Sequence, residues 1–450
     1  MGAFQKADQA IAGIRPLPRL YLMPGCGICH QVKGFLERHD IPAEMCWITE
    51  SRHELALQEL LKTYTGPRSV PFLVVGDEIV QGFQRDAITS MLARAGYAVR
   101  KENVDGAVAT EKPVVLPSDA LWVANFLDGS VSFVDLPSGR RLADDLSFGP
   151  ESNIMSVAYD PGANVAAISK YGQHALVFFD MAKRTYLGGN AAGATLPTAA
   201  GPADIVVDAK RHRFYVPATQ AGLVMAVDSR TGRFANGTLQ NSSVAVGRSL
   251  TGGIAIDPGL DRIFVSTEGR LCAVDLDTFR LVGDGLDVGI HRGVAVNPRT
   301  HRVYVAGSER HAVIYVDGRT MRYAFGDLEN STVQTDRTPF AIAVDGESGL
   351  VFVSCMTSQR IQILDAASPT LSGLPPLDAA ATTRTFAFIG DGLLAASSFD
   401  DGEVSFVDCR QGRYLNGARS RVAVPVSKGA RGIAWVGGAS PAKKFGKGEI

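Results

Sequence analysis

Two cysteines separated by two residues, Cys26 and Cys29, are the part of this 450-residue sequence whose spacing points most directly to chemistry. They follow a short apolar run at 20–22 and open a segment with the apolar spacing of a helix. A cysteine at a helix N-terminus is stabilised as the thiolate by free N–H groups and the helix dipole, and the thiolate is the nucleophile in thiol–disulfide exchange. We therefore expect Cys26 to attack a disulfide and Cys29, one turn further along, to resolve the mixed disulfide.

The alternative for this cysteine pair is a degenerate redox motif or half of a metal site. The sequence has no second Cys-x-x-Cys and no Cys/His pair at zinc spacing, so no metal site is expected. Cys46 falls on a predicted buried strand and is expected to be a small core hydrophobe rather than a third redox partner. Cys272, Cys355 and Cys409 lie on or at the end of predicted strands and are also expected in the core.

The segments around the cysteine pair predict the order β-α-β-α-β-β-α. Residues 41–48 alternate as a strand, and residues 51–64 carry leucines at helical spacing with Ser51 as N-cap. Residues 69–83 predict a hairpin that turns at Gly76-Asp77, and residues 86–95 predict the last helix.

This order, the Cys26/Cys29 motif, the Ser69-Val70-Pro71 tripeptide and Gly82 resemble glutaredoxins and small glutaredoxin-like thioredoxin proteins over residues 17–98. The resemblance implies that Pro71 is a cis proline facing the dithiol and that the Val70 backbone pairs with a bound thiol substrate. Gly82 joins these two as a substrate-binding candidate. Glutathione or another thiol is then a possible co-substrate, and no tightly bound cofactor is expected.

Three departures from the glutaredoxin pattern concern glutathione recognition rather than the dithiol chemistry. Met23 stands where the family usually has a lysine that helps to hold a glutathione carboxylate. Gly27-Ile28 replaces the usual Pro-aromatic pair between the cysteines. Residues 83–86 (FQRD) replace the usual Cys-or-Ser-Asp-Asp run after the glycine.

From Pro117 onward, an apolar strand that ends in aspartate recurs seven times at intervals of 42 to 48 residues. A second motif, an apolar pair such as Ile254-Ala255, recurs with it seven times. A period of this length with several short strands per unit indicates a β-propeller. Each aspartate is expected to make an Asx-type turn. The seven aspartates are Asp135, Asp180, Asp228, Asp275, Asp317, Asp365 and Asp408.

The first repeat, from Leu121, lacks a first strand, whereas the chain ends with an unpaired strand at 432–436. The simplest solution is that the C-terminal strand completes the first blade, which gives seven blades and no open edge. Residues 263–266 (IFVS) and 303–306 (VYVA) resemble YVTN-type propeller repeats, and this resemblance covers about 117–438. It implies a fold rather than a function, because such propellers bind, scaffold and catalyse.

The predicted fold class is therefore multidomain, with an α/β thioredoxin-like domain followed by an all-β seven-bladed propeller. The predicted divisions are an N-terminal extension at 1–16, the glutaredoxin-like domain at 17–100, a linker at 101–116, the propeller at 117–438 and a tail at 439–450.

Residues just before the first strand of a blade should point at the mouth of the central channel. Arg292, Arg384 and Arg431 occupy the same register, three residues before the aligned alanine, and converging guanidinium groups suit an anionic ligand. The alternative is that each arginine pairs with a nearby carboxylate or solvates the rim. His212 and His301 fall on the opposite face and are expected to be solvated. The substrate-binding candidates on the propeller are Arg292, Arg337, Arg384, Arg431, His174, His291 and His311.

Composition excludes several classes of partner. A net charge of −1 gives no electrostatic footprint for nucleic acid or an anionic membrane. No apolar run approaches the length of a membrane span, and the N-terminus lacks the pattern of a signal peptide. Six cysteines do not make a disulfide framework in a chain of this length, so we expect a cytoplasmic enzyme.

The favoured hypothesis is a thiol–disulfide oxidoreductase whose propeller binds a small anionic thiol-derived substrate or a protein partner, and which a cellular thiol reductant recycles. A second hypothesis is a propeller-centred lyase or hydrolase acting on a glutathione-like thiol conjugate, with the first domain as auxiliary. A third is a redox-sensing scaffold. A clustered Arg/His/Asp site at the channel mouth would support the second, and a large apolar patch on the propeller rim would support the third.

Overall fold

The computed structural model describes residues 15–23, 27–62, 71–82, 84–99, 116–136, 138–247, 253–267, 269–289, 291–380, 382–390 and 392–438. The chain divides into two compact units, Met1–Glu111 and Lys112–Ile450. Within the described residues, no helix is long and apolar enough to cross a membrane.

The first unit has the predicted β-α-β-α-β-β-α order. Its sheet runs β2-β1-β3-β4, with β1 parallel to β2 and antiparallel to β3. The elements are β1 (Arg19–Leu22), α1 (Gly27–Arg38), β2 (Glu44–Trp47), α2 (Ser51–Leu60), β3 (Phe72–Val75), β4 (Glu78–Gln81) and α3 (Arg85–Arg94).

Helices cover the sheet of the first unit on both faces because the side chains of β1 alternate between them. Leu20 and Leu22 are buried in one cluster with Phe35 of α1 and Leu92 of α3. Tyr21 points to the other face and packs in a second cluster that includes residues of α2. The sheet thus fixes the start of α1, where the cysteine motif lies, against its central strand.

The second unit consists of seven small antiparallel sheets in the described part of the chain. Its strands are β5 (Ala120–Asn125), β6 (Ser130–Asp135), β7 (Arg140–Arg141), β8 (Leu146–Ser147), β9 (Ile154–Asp160), β10 (Val165–Lys170), β11 (Ala175–Asp180), β12 (Thr185–Tyr186), β13 (Thr195–Pro197), β14 (Val206–Asp208), β15 (Arg213–Ala218), β16 (Leu223–Asp228), β17 (Arg233–Phe234), β18 (Ser243–Ala245), β19 (Ile254–Asp257), β20 (Arg262–Ser266), β21 (Arg270–Asp275), β22 (Arg280–Leu281), β23 (Leu286–Asp287), β24 (Val294–Asn297), β25 (Arg302–Gly307), β26 (Ala312–Asp317), β27 (Arg322–Tyr323), β28 (Thr332–Gln334), β29 (Pro339–Asp345), β30 (Leu350–Cys355), β31 (Arg360–Asp365), β32 (Leu377–Asp378), β33 (Thr383–Gly390), β34 (Leu393–Ser398), β35 (Glu403–Asp408), β36 (Arg413–Tyr414), β37 (Val424–Pro425) and β38 (Ala430–Val436). The unit also has a short helix, α4 (Ala191–Ala194), and 3-10 turns at Pro150–Ser152, Gln240–Ser242 and Arg419–Arg421.

The sheets form a closed ring around their innermost strands. Successive innermost strands contact one another in the order β38, β9, β14, β19, β24, β29, β33 and again β38. The last strand of the chain, β38, pairs with β5 and so completes the first sheet. This arrangement leaves the ring without an open inner edge, as the closure argument from the sequence requires.

The recurring aspartates are turn residues. At six of the seven positions the carboxylate accepts hydrogen bonds from the backbone N–H groups two and three residues later, as Asp180 does from Ala182 and Lys183. The motif is therefore a repeated structural turn rather than a set of functional acids.

His212 and His301 are not solvated as expected from the sequence. Nδ1 of His212 lies 3.0 Å from a carboxylate oxygen of the buried Asp160, and Nδ1 of His301 lies 2.7 Å from one of the buried Asp257. Each histidine belongs to a different sheet from its aspartate. The two pairs therefore tie neighbouring sheets together on the face opposite the arginines.

Three innermost strands approach their neighbours at glycines that lie in, or next to, the strand. A Cβ atom built on Gly432 would lie 2.5 Å from Cα of Ser156. The corresponding atom on Gly253 would lie 2.1 Å from the carbonyl oxygen of Arg292, and on Gly293 2.4 Å from that of Phe340. All of these neighbours are backbone atoms, so the strands could pack this closely only at glycine.

We predict that Gly432→Ala lowers the free energy of unfolding by about 1–3 kcal/mol, because the added methyl group forces the closing strand away from Ser156. Chemical denaturation of the full chain measures this loss. The matched control is Gly438→Ala, whose Cβ would lie at an ordinary 3.8 Å from Asp119. Equal stability of the two variants would contradict the close packing of β38 against β9.

Candidate functional site

The second cysteine of the motif, Cys29, lies in the first turn of α1. Cys29 is fully buried on this helix and is disulfide-bonded. Cys26 lies outside the described residues. The first turn of α1 contains no acidic residue, so no carboxylate there opposes the positive end of the helix dipole.

The hairpin β3–β4 brings two of the other predicted residues of this unit together. Pro71 is buried just before β3, and its carbonyl accepts a 2.9 Å hydrogen bond from the N–H of Gly82, just after β4. Gly82 has a φ of +76°, and a Cβ there would meet no atom within 4 Å. Val70 lies outside the described residues.

The four other cysteines are free and buried. Burial raises the pKa of each of these thiols, which disfavours the reactive thiolate. They fit the core role expected from the sequence. They are Cys46, Cys272, Cys355 and Cys409.

One group of side chains in the described residues could offer three ligand atoms to a metal. Atoms of Glu44, Cys46 and His53 lie within 4.8 Å of one another. The Nδ1 atom of His53 is 3.2 Å from the carbonyl oxygen of Trp47. Burial also keeps the Cys46 thiol protonated, whereas a metal binds the thiolate.

The propeller encloses a cavity of about 230 Å³ around its axis. The first residue of the repeated apolar pair lines this cavity in each of the seven sheets, so these residues form a ring. They are Val157, Ile205, Ile254, Val294, Ile342, Phe386 and Ile433. Because residues two apart in a strand share a face, side chains two positions before this ring can line the same cavity.

Four side chains two residues before this ring occupy consecutive sheets, and we call them the arginine arc: Arg292, Phe340, Arg384 and Arg431. The structure thus brings together the three arginines that share a register in the sequence. Phe340 separates two of them. The guanidinium carbon of Arg384 lies 4.7 Å from the Phe340 ring centroid, and that of Arg292 lies 5.9 Å from it.

Arg384 is the most enclosed member of the arc, with 8% of its surface exposed. Its guanidinium carbon also lies 5.0 Å from the ring centroid of Phe399, so aromatic rings flank the group. Its Nε and Nη2 atoms, and Nε of Arg431, are buried without a hydrogen-bond partner in the described part of the chain. Nε and Nη2 lie along one edge of the planar group, which is the fork that fits a carboxylate.

Desolvation disfavours the positive charge of each arginine of the arc, and neighbouring arginines add to this effect for Arg384 and Arg292. Desolvation, followed by the charges of Arg431 and Arg292, lowers the pKa of Arg384 to about 9. Desolvation also lowers the pKa of Arg292 and that of Arg431. Within the described residues none of the three forms an ion pair with a carboxylate, but Arg292 is exposed, as the rim-solvating alternative expects for it. A bound anion would relieve this repulsion.

A row of serines that sequence reasoning missed fixes the backbone of the arc. The hydroxyl of Ser266 donates to the carbonyl of Arg292 at 2.9 Å, and that of Ser397 donates to the carbonyl of Arg431 at 2.7 Å. Ser308 and Ser354 do the same for the carbonyls that precede Phe340 and Arg384, at 2.8 and 2.9 Å. Each of the four serines lies within one residue of the end of the second strand of its blade. This shared position in the repeat is the sequence signal that could have identified them.

Three of the other predicted propeller residues lie outside the lining of the cavity, and two of them, both histidines, accept hydrogen bonds from backbone N–H groups. Nδ1 of His174 accepts a hydrogen bond from the N–H of Gly201, and Nδ1 of His311 accepts one from that of Thr338, both at 3.2 Å. Arg337 is exposed, and its N–H donates to Ser358. The two histidines thus hold the loops that precede the next innermost strand.

His291 precedes the first arginine of the arc but is fully buried outside the cavity. Desolvation lowers its pKa to about 4, so it is neutral at pH 7. Its Nδ1 lies 2.8 Å from the carbonyl oxygen of Gly289. It adds no positive charge to the arc.

Residues 19–80 match the model of the glutaredoxin family. Three solved structures resemble the chain. A functionally unknown protein from Desulfotomaculum acetoxidans DSM 771 is 15% identical with a TM-score of 0.55, over 72% of this chain and 100% of that one. Dihydro-heme d1 dehydrogenase NirN in complex with DHE is 11% identical with a TM-score of 0.51, over 81% and 87%. Kuenenia stuttgartiensis hydrazine synthase is 12% identical with a TM-score of 0.53, over 69% and 100%.

At these identities the structural likeness concerns the fold alone. No curated protein matches this chain in sequence. The first unit is a glutaredoxin-like domain with a thioredoxin fold, and the second unit is a seven-bladed β-propeller. The glutaredoxin match supports thiol–disulfide oxidoreductase chemistry in general terms.

We predict that Arg384→Met raises the free energy of unfolding of the unliganded protein by about 1–3 kcal/mol, because it removes a desolvated charge with unpartnered N–H groups. The flexible methionine side chain keeps contact with both rings. Thermal and chemical denaturation measure the gain. Arg337→Met, at an exposed arginine, should leave stability unchanged. A loss of stability in Arg384→Met would show that the guanidinium is a structural group.

Proposed function

We propose that this chain is a thiol–disulfide oxidoreductase that uses Cys26 and Cys29, and that its propeller binds a small anionic thiol-derived substrate in the central cavity. The observation that carries the first part is the glutaredoxin match over residues 19–80, which includes both cysteines. The arginine arc, with its unpartnered buried donors, carries the second.

The proposed reaction follows from the spacing of the two cysteines in the sequence and from the place of Cys29 in the first turn of α1. The Cys26 thiolate attacks one sulfur of a substrate disulfide, forms a mixed disulfide and releases the first thiolate. Cys29 then attacks the sulfur of Cys26, forms the internal disulfide and releases the second thiolate. A cellular thiol reductant returns the two electrons. A cytoplasmic location, where such reductants keep thiols reduced, belongs to this proposal.

The lining of the cavity favours binding over hydrolysis or elimination as the task of the propeller. Among the described lining residues, Asp204 is the single carboxylate, and none is a histidine or cysteine. The arginines can hold an acid group but are poor general bases, because they remain protonated near neutral pH. We therefore favour the binding role over the lyase or hydrolase hypothesis.

We predict that Cys26→Ser abolishes reduction of a small disulfide by the full chain in the presence of a thiol reductant. Cys29→Ser should instead accumulate a mixed disulfide on Cys26, which intact-mass spectrometry detects. Cys46→Ala is the control, because this buried thiol takes no part in the reaction. Unchanged turnover in Cys26→Ser would overturn the oxidoreductase proposal.

We predict that Arg384→Gln weakens binding of a carboxylate ligand by roughly 10- to 100-fold, because a charge-assisted hydrogen bond is worth about 1.5–3 kcal/mol. Titration calorimetry with mercaptosuccinate, a compact thiol with two carboxylates, measures this loss. Arg337→Gln, an exposed arginine outside the cavity lining, should bind like the wild type. Equal binding by Arg384→Gln and the wild type would exclude the cavity as the anion site.

A further inference from the structure

The charges in the propeller cavity are distributed on two opposite sides. The arginine arc occupies the four consecutive sheets whose innermost strands are β24, β29, β33 and β38. Asp204 lines the cavity from just before β14, two sheets from Arg431 in one direction and two from Arg292 in the other. In a ring of seven, this position faces Phe340 and Arg384 across the axis.

Asp204 is half-buried and forms no ion pair with the arginines of the arc in the described residues. Desolvation raises the pKa of its carboxyl group, and the charge of Arg431 opposes this rise. The two charges therefore interact across the cavity without touching. A molecule that fills the cavity must place a group against each of them.

Three guanidinium groups and one carboxylate define the charges that a ligand has to complement. Acid groups satisfy the arginines, whereas an ammonium group would donate to Asp204, and its positive charge would oppose the rise in the pKa of that carboxyl group. The ring of seven apolar side chains that also lines the cavity, from Val157 to Ile433 in chain order, suits a short hydrocarbon or thioether segment. A volume of about 230 Å³ around these groups suits a compact molecule.

We infer that the propeller cavity binds a compact amino acid with two acid groups, which places its acid groups on Arg292, Arg384 and Arg431 and its ammonium group on Asp204. This inference rests on the proposed function, because it takes the cavity as the anion site. It adds the requirement for a cationic group, which an inorganic anion or a simple diacid does not meet.

The test compares two probes that differ in the ammonium group, L-glutamate and glutarate, by titration calorimetry on the full chain. The wild type should bind L-glutamate about tenfold more tightly than glutarate, the effect of one additional charge-assisted hydrogen bond. Asp204→Asn should erase this preference by weakening L-glutamate about tenfold while glutarate binds equally or more tightly. Asp284→Asn, at an exposed carboxylate outside the cavity lining, should keep the preference.

The outcomes separate this inference from the proposal on which it rests. If glutarate binds the wild type at least as tightly as L-glutamate, the inference is wrong and the anion site stands. If neither acid binds the wild type but sulfate does, and Arg384→Gln weakens sulfate binding, the inference is also wrong and the anion site stands. If none of the three probes binds, the anion site and the inference both fall. Because the decisive comparison uses the wild type, it does not depend on how any variant folds.

Discussion

The pairing of β38 with β5 is the constraint on which the propeller depends. It joins the last strand of the chain to the first sheet and so converts a row of sheets into a ring. Ring closure brings the innermost strands around one axis, where glycines such as Gly432 allow neighbouring backbones to approach. Residues far apart in the sequence, such as Arg292 and Arg431, line one cavity for this reason.

Desolvation and nearby positive charge disfavour the ionised arginines of the cavity, and the packing around these side chains holds them there. Arg384 lies between Phe340 and Phe399, away from bulk water and beside other positive charges. Serine hydroxyl groups donate to the backbone carbonyls of Arg292 and Arg431 and so stabilise the backbone of the arc. Such a preorganised positive site gains the most when an anion supplies the missing acceptors.

The two units divide the chemistry between them. Thiol chemistry belongs to the glutaredoxin-like unit, because the propeller cysteines are buried and their pKa values are raised. The propeller instead offers fixed charges, with Asp204 opposite the arginine arc. Under the proposed function, the first unit supplies the thiols and the propeller supplies the groups that recognise an acid.

Features that depend on local spacing could be predicted from the amino-acid sequence. The helical pattern that follows the Cys26/Cys29 pair, the strand period and the aspartate turns arise from short-range hydrogen bonding and alternation, and the repeat also gave the shared register of the arginines. Which side chains meet depends on the tertiary structure. Ring closure places Asp204 opposite Arg384 and brings Phe340 against the Arg384 guanidinium. His174 and His311 instead accept hydrogen bonds from the loops that precede the next innermost strands. These contacts join different blades, and their distances depend on how the whole ring closes, which no local pattern in the sequence encodes.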